Sequence, residues 1–308
     1  MSTLFSHFFQ KINQISPLES NFTEVLDAIA VKPKMLYFYG KMPENVVKNG
    51  KSERQKTVAI VGSRHNTRYG EEIAYKLAYE LGKRGVVVVS GLAYGIDSIG
   101  HRGCLDAGGT TVAVLGTPID QIYPRGHIKL AAEIIEKNGT IMSEYAPGEK
   151  VFMGASFLHR NRLISGLADI VVVVEAAEKS GTLSTAAHAL SQGRDVYAVP
   201  GNITSPYSQG CNKLIKQGAM PYTEPDDILR ELFPEEFAQK CQKQSKLRLF
   251  GDNDIETKIL QAIHAGARSG DQIAKITLLP PEVMNQSLTM LELKSRIRPL
   301  GMNNWGLI

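Results

Sequence analysis

Six short runs of apolar, mostly β-branched residues punctuate the middle of the chain, at 57–61, 86–89, 110–115, 139–142, 170–174 and 196–199. Their apolar positions run on continuously instead of alternating with polar ones, the pattern of strands buried on both faces of a sheet. Between them lie stretches of helical periodicity, 69–84, 96–107, 128–137, 157–167 and 183–193. The alternation predicts an α/β fold with a doubly wound, mostly parallel sheet and helices over both faces.

Outside this core the pattern weakens. Residues 1–56 hold short amphipathic pieces and the stretch Lys32-Pro33-Lys34-Met35-Leu36-Tyr37-Phe38-Tyr39-Gly40. That is too short and Pro-interrupted for a large domain, so the segment reads as a small helical cap. Residues 57–232 form the core, and 233–252 are polar enough to be a linker. The remainder, 253–308, carries three helical patterns (255–264, 270–276, 281–293) and two strand-like pieces (297–300, 305–308). Three helices followed by a hairpin predict a small winged-helix domain.

Composition narrows the function classes. No run of about 18 apolar residues occurs, and the N-terminus lacks a basic stretch followed by an apolar one, so the expectation is a cytoplasmic protein without a membrane partner. Cys104, Cys211 and Cys241 are odd in number and widely spaced, which suits three reduced thiols better than disulfides or a metal site. The net charge is +4, yet the core holds 17 basic and 18 acidic residues, against 8 and 5 before Thr57 and 10 and 8 after Leu232. A near-neutral core must hold any nucleic acid through a local cluster of cations and oriented amides.

The loops that follow the strands supply candidates for such a cluster. In an open parallel sheet, ligands bind outside the carboxyl ends of the strands. Gly62, Ser63 and Arg64 follow the first strand and offer close backbone approach, a hydroxyl and a bidentate guanidinium, a set suited to phosphate. Ser90 and Gly91 open a second loop, Ser90-Gly91-Leu92-Ala93-Tyr94-Gly95-Ile96-Asp97, whose helix start could hold an anion or simply pack tightly with Asp97 orienting the turn. The string Phe157-Leu158-His159-Arg160-Asn161-Arg162 opens a helix with an aromatic, an amide and two cations. Arg160 and Arg162 cannot share a helix face, so one points to a ligand, Arg160 by preference, and the other makes a structural ion pair. Lys179, Ser180, Gly181 and Thr182 resemble an anion nest at a helix start, although Ser180 could equally be only a cap. Asn212 sits where it could reach the rim of the same crevice or serve only turn packing.

Taken in order, the strings GSR at 62–64, SGLAYGID at 90–97 with His101 following, VLG, ID and YP within 114–124, SEY at 143–145, RNR at 160–162, SGTL at 180–183 and VPG at 199–201 resemble the DNA processing protein A (DprA/Smf) family. The resemblance implies an extended Rossmann fold, single-stranded DNA as the partner, homodimerisation, and protection of incoming strands with loading of the RecA recombinase during natural transformation. It implies neither a catalytic reaction nor a cofactor. Carried over by motif, the strand-binding residues are Gly62, Ser63, Arg64, Ser90, Gly91, Phe157, Arg160, Asn161, Lys179, Ser180, Gly181 and Thr182. Two departures are expected from the resemblance: members often carry a cation a few residues before the aromatic, where this chain has Met153-Gly154-Ala155-Ser156, and the helical N-terminal domain of longer relatives is expected in truncated form.

Two enzyme readings compete. The region around Ser180-Gly181-Thr182 also resembles nucleoside monophosphate phosphoribohydrolases, whose Pro-Gly-Gly-x-Gly-Thr-x-x-Glu pattern needs an acid where this chain has Thr185. A nicotinamide dehydrogenase would need G-x-G-x-x-G, which Gly62-Ser63-Arg64 is not. In the C-terminal domain, the helix at 281–293 carries Glu282 and Glu292 and no Arg or Lys, a poor fit to phosphates, so the domain is expected to make partner contacts or to bind duplex DNA with low affinity.

Overall fold

Among the described residues, nine strands form the main sheet: β1 (Asn13–Ile15), β2 (Leu36–Gly40), β5 (Thr57–Val61), β6 (Val87–Ser90), β7 (Thr111–Leu115), β8 (Thr140–Ser143), β9 (Ile170–Val173), β10 (Asp195–Ala198) and β11 (Met220–Pro221). They lie in the order β1-β2-β8-β7-β6-β5-β9-β10-β11, while β3 (Val46–Lys48) and β4 (Lys51–Glu53) pair separately. This computed structural model describes residues 9, 11–48, 51–238 and 249–308. Every pairing from β8 through β11 is parallel. From β5 the chain winds outward through β6, β7 and β8, then returns to β9 on the other side of β5 and continues to β10 and β11. The winding therefore reverses between β5 and β9, and a crevice opens at their carboxyl ends.

The helices form because their apolar positions fall on one stripe. In α1 (Arg68–Lys83) that stripe is Ala74, Leu77, Ala78 and Leu81, all fully buried, and the Thr67 hydroxyl caps the helix by accepting from the Gly70 amide. On one face of the sheet, Ala59, Val61, Val87, Val89, Val171 and Val173 pack against Leu163 and Leu167 of α4 (Met153–Leu167) and Ala186 and Ala189 of α5 (Thr182–Ser191). Ala113, Leu115 and Ile141 face the other way, into a cluster with Leu105 of α2 (Ile96–Asp106) and Leu130 and Ile134 of α3 (Ile128–Glu136).

The segment before Thr57 departs from the expected helical cap. Among its described residues the regular helices are two short 3-10 turns, Pro17–Glu19 and Glu24–Ala28, and its main contribution is β1 and β2, which add two antiparallel strands at the sheet's edge. Phe22, Leu26 and Ile29 then bury against Leu163 and Leu167, so the segment shares the core rather than covering it. Residues 1–8 of the expected cap lie outside the described residues.

The chain divides into two units, Met1–Leu232 and Phe233–Ile308. Of the expected linker, residues 239–248 lie outside the described residues. The second unit has helices α6 (Asp254–His264), α7 (Gly270–Thr277) and α8 (Pro281–Leu293) and the antiparallel hairpin β12 (Ile297–Gly301) and β13 (Asn304–Leu307). Its own core joins Ile259, Leu260, Ile263, Ile273, Leu288, Leu291 and Ile297. The expected helices and hairpin are both present, and the arrangement is a winged helix.

Candidate nucleic-acid interface at the switch point

A cavity of about 300 Å³ opens at the carboxyl ends of β5 and β9. Gly62, Ser63, Arg64, Phe157, Arg160, Asn161, Ser180, Gly181 and Thr182 all line it, so nine of the twelve residues singled out in the sequence converge on one place. The β5–α1 loop brings the first three, α4 the next three, and the β9–α5 loop the last three. Arg64 is exposed at the mouth, with its guanidinium carbon 5.5 Å from the centre of the Phe157 ring. A guanidinium near an aromatic face is attracted by the ring, and its planar fork of donors suits bidentate contact with phosphate.

The loops on either side of the crevice are tied together. The Thr182 hydroxyl donates to the Gly62 carbonyl at 3.0 Å. Deeper, the buried Glu175 carboxylate accepts from the Thr67 amide at 2.9 Å and the Thr67 hydroxyl at 2.6 Å, fixing the start of α1 to the end of β9. Asn161 donates to the Ser184 hydroxyl at 2.8 Å and so holds the start of α5. Gly95 takes φ +75°, and a Cβ there would lie 2.3 Å from the Ser63 carbonyl oxygen, so only glycine lets the second loop pack this closely on the first.

Arg160 occupies the floor and differs from the expected role. It is 5% exposed, and one guanidinium nitrogen donates to the carbonyls of Gly91, at 2.8 Å, and Val114. Burial lowers its pKa to about 10, opposed by the Asp97 carboxylate, with Arg64 adding to the lowering. Asp97 is itself pushed upward by burial, against the pull of Arg160 and the amides of Ala93 and Gly91. Arg160 is therefore first a bolt between β6, β7 and α4, with its charge presented from beneath. Arg162 makes the structural ion pair, through two contacts with Glu144 at 2.6 and 2.8 Å.

Ser90 and Gly91 serve the frame. The Ser90 hydroxyl is fully buried and donates to the Ile60 carbonyl at 2.6 Å. A Cβ on Gly91 would fall 2.4 Å from the Arg160 guanidinium, so that glycine makes room for the arginine rather than for a ligand. Lys179 is exposed beside the cavity without lining it. The Ser180 hydroxyl accepts from the Thr182 amide at 3.2 Å and acts as a cap while still facing the cavity. Asn212 bonds both ways with Gly201 and shapes that turn instead of reaching the crevice.

Sequence reasoning missed the Glu175–Thr67 tie, whose signal, an acid directly after a wholly apolar strand, was present. It also missed Tyr123, whose ring centre lies 5.3 Å from that of Phe157. Among the described residues Asp97 is the one acid lining the cavity, and the buried Thr185 stands where the hydrolases carry their acid. Cys104 and Cys211 are buried free thiols whose pKa values burial pushes up to about 12. Cys241 lies outside the described residues.

The fold and this crevice define a doubly wound α/β protein with a cation-bearing switch point, joined in one chain to a winged helix. Residues 13–233 match the family model for DNA recombination-mediator protein A, and residues 244–301 match the DprA winged helix domain. The chain therefore belongs to the DNA processing protein A (DprA/Smf) family. It is 39% identical over 240 residues to Protein Smf of Escherichia coli, spanning 76% of this chain but only 63% of that protein. It is equally identical, 39%, over 223 residues to DNA processing protein DprA of Bacillus subtilis, covering 72% of each. The X-ray structure of DprA from Streptococcus pneumoniae superposes with a TM-score of 0.63 at 36% identity over 73% of this chain and 76% of that one. The Helicobacter pylori protein, solved for its single-stranded DNA binding mode, superposes with a TM-score of 0.62 at 30% identity over 75% of this chain and 98% of that one.

Proposed function

We propose that this chain binds single-stranded DNA at the switch-point crevice, protects it, and loads a RecA-type recombinase onto it during natural transformation, acting as a cytoplasmic homodimer. The observation that carries the reading is Arg64, an exposed guanidinium held over Phe157 at the mouth of the cavity. A phosphate enters between Arg64 and the Ser180–Thr182 turn, with Arg160 adding positive charge from the floor. A base then lies near Phe157, which is how single-strand binders combine backbone charge with stacking. The Helicobacter pylori relative, named for single-stranded DNA binding, aligns over nearly its whole length and supports the choice of ligand. No reaction is assigned: the one cavity acid, Asp97, is occupied by the amides of Gly91 and Ala93.

The test compares single- and double-stranded oligonucleotides of equal length across a salt series. Tighter binding of the single strand supports the reading, and equal affinity for both forms contradicts it. Recombinase loading is tested by filament growth on coated single strands, which this chain should accelerate.

A further inference from the structure

On the far side of Arg64 and Phe157 from the phosphate cavity lies a second, shallow cleft, lined by Tyr94, Tyr123, Pro124 and Gly91. The two openings share a wall, since Arg64, Ala93, Phe157 and Arg160 line both. The cleft's enclosed space is only about 30 Å³, too small to engulf a ring and suited to one lying flat against it. Tyr94 is 51% exposed and Tyr123 40%, an unusual outlay of aromatic surface next to a cation.

Both rings are held in place. Tyr123 leans on Phe157 at 5.3 Å and 36°, a tilted contact, so Arg64, Phe157 and Tyr123 form one contiguous cluster. Tyr94 meets the His127 ring edge-on at 4.7 Å, and the buried His127 bonds through Nδ1 to the Leu92 carbonyl at 2.8 Å. Rings fixed in advance lose little freedom when a planar group settles on them.

We propose that this aromatic cleft is a nucleobase subsite, in which Tyr123 stacks the base of the nucleotide next to the phosphate held at Arg64. The inference rests on the single-strand reading of the neighbouring cavity. Any base has a π-face, so the subsite reads the presence of a base and not its identity. It divides the work: Arg64 answers to the backbone, Tyr123 to the base.

The experiment measures affinity of the full chain for a thymidine oligonucleotide and for the same backbone made abasic throughout, using Tyr123→Ala, Tyr123→Phe and Arg64→Ala. Removal of a stacking ring typically weakens binding roughly five- to a hundredfold. A loss of that size is expected for Tyr123→Ala on the thymidine strand, with no loss on the abasic one and full rescue by Tyr123→Phe. Unchanged affinity in Tyr123→Ala, an equal loss on both strands, or failure of Tyr123→Phe to rescue each overturns the subsite. These outcomes leave the phosphate cavity standing as long as Arg64→Ala weakens binding to both strands. An Arg64→Ala protein that binds like the wild type removes the underlying reading instead.

Discussion

The Thr182 hydroxyl donates to the Gly62 carbonyl across the line where the sheet reverses its winding, at 3.0 Å. The bond joins the loop that carries Arg64 to the start of α5, so the shape of the proposed phosphate site depends on a contact between halves of the sheet. Thr182→Val keeps the volume and removes the donor. It should cost about 0.5–1.5 kcal/mol of stability, read by chemical denaturation. Single-strand affinity should fall while the salt slope stays at its wild-type value, because no cation is lost.

Glu175 is the deeper tie, and a stronger effect is expected from it. Its buried carboxylate accepts two hydrogen bonds from Thr67, and Gln in its place would turn a donor toward one of them. Glu175→Gln should destabilise the first unit by about 1–3 kcal/mol, seen as a lower thermal midpoint. An unchanged midpoint would mean that the start of α1 is secured elsewhere.

Gly154 offers a gain instead of a loss. It is exposed in the first turn of α4, and a Cβ there meets nothing within 4 Å. Gly154→Lys adds a cation three residues before Phe157. The helix propensity gained over glycine and the unfavourable meeting of a cation with a helix N-terminus are each about 0.3–1 kcal/mol and oppose each other, so stability should barely move. Single-strand affinity should rise, with a salt slope steeper by about 0.7.

Stability should also depend on pH through His101. It is fully buried in α2, its Nδ1 meets the Thr111 hydroxyl at 2.7 Å, and burial with the nearby His127 and Arg160 lowers its pKa from 6.5 to about 3. The unfolded chain thus takes up a proton near pH 6.5 that the folded chain refuses until near pH 3. Stability is fully present above that window and falls as pH drops through it, by an amount on the order of a few kcal/mol. Asp97, raised in the folded state, acts in the opposite sense at the acid end. Denaturation of His101→Gln across the same range should show a flatter profile than the wild type.

The central strands were legible because parallel strands buried on both faces leave unbroken apolar runs, and 57–61 is the observed β5 to the residue. Strands β1 and β2 were not: β2 pairs with β8, about a hundred residues away, with Tyr39 against Ile141, and β1 is placed only by pairing with β2. Leu36–Gly40 carries strand-forming aromatics, and Pro33, three residues before β2, does not interrupt its ladder. Helix α4 begins at Met153 and not at Phe157, so the aromatic sits in its second turn. In the site, Arg64 could be read as an exposed cation in a strand-end loop, and Phe157 from the aromatic, amide and two cations gathered in one short helical string. Arg160 and Ser90 could not, since carbonyls of Gly91, Val114 and Ile60, supplied by other elements, decide that both point inward.

The most direct test of the account is the salt dependence of single-strand binding in Arg64→Ala beside the wild type. Arg64 is exposed, so the variant should keep its fold. Weaker binding is expected at every salt concentration, with a log–log slope shallower by about 0.7, the signature of one phosphate contact removed from a single strand. An Arg64→Ala protein with wild-type affinity and an unchanged slope would contradict it.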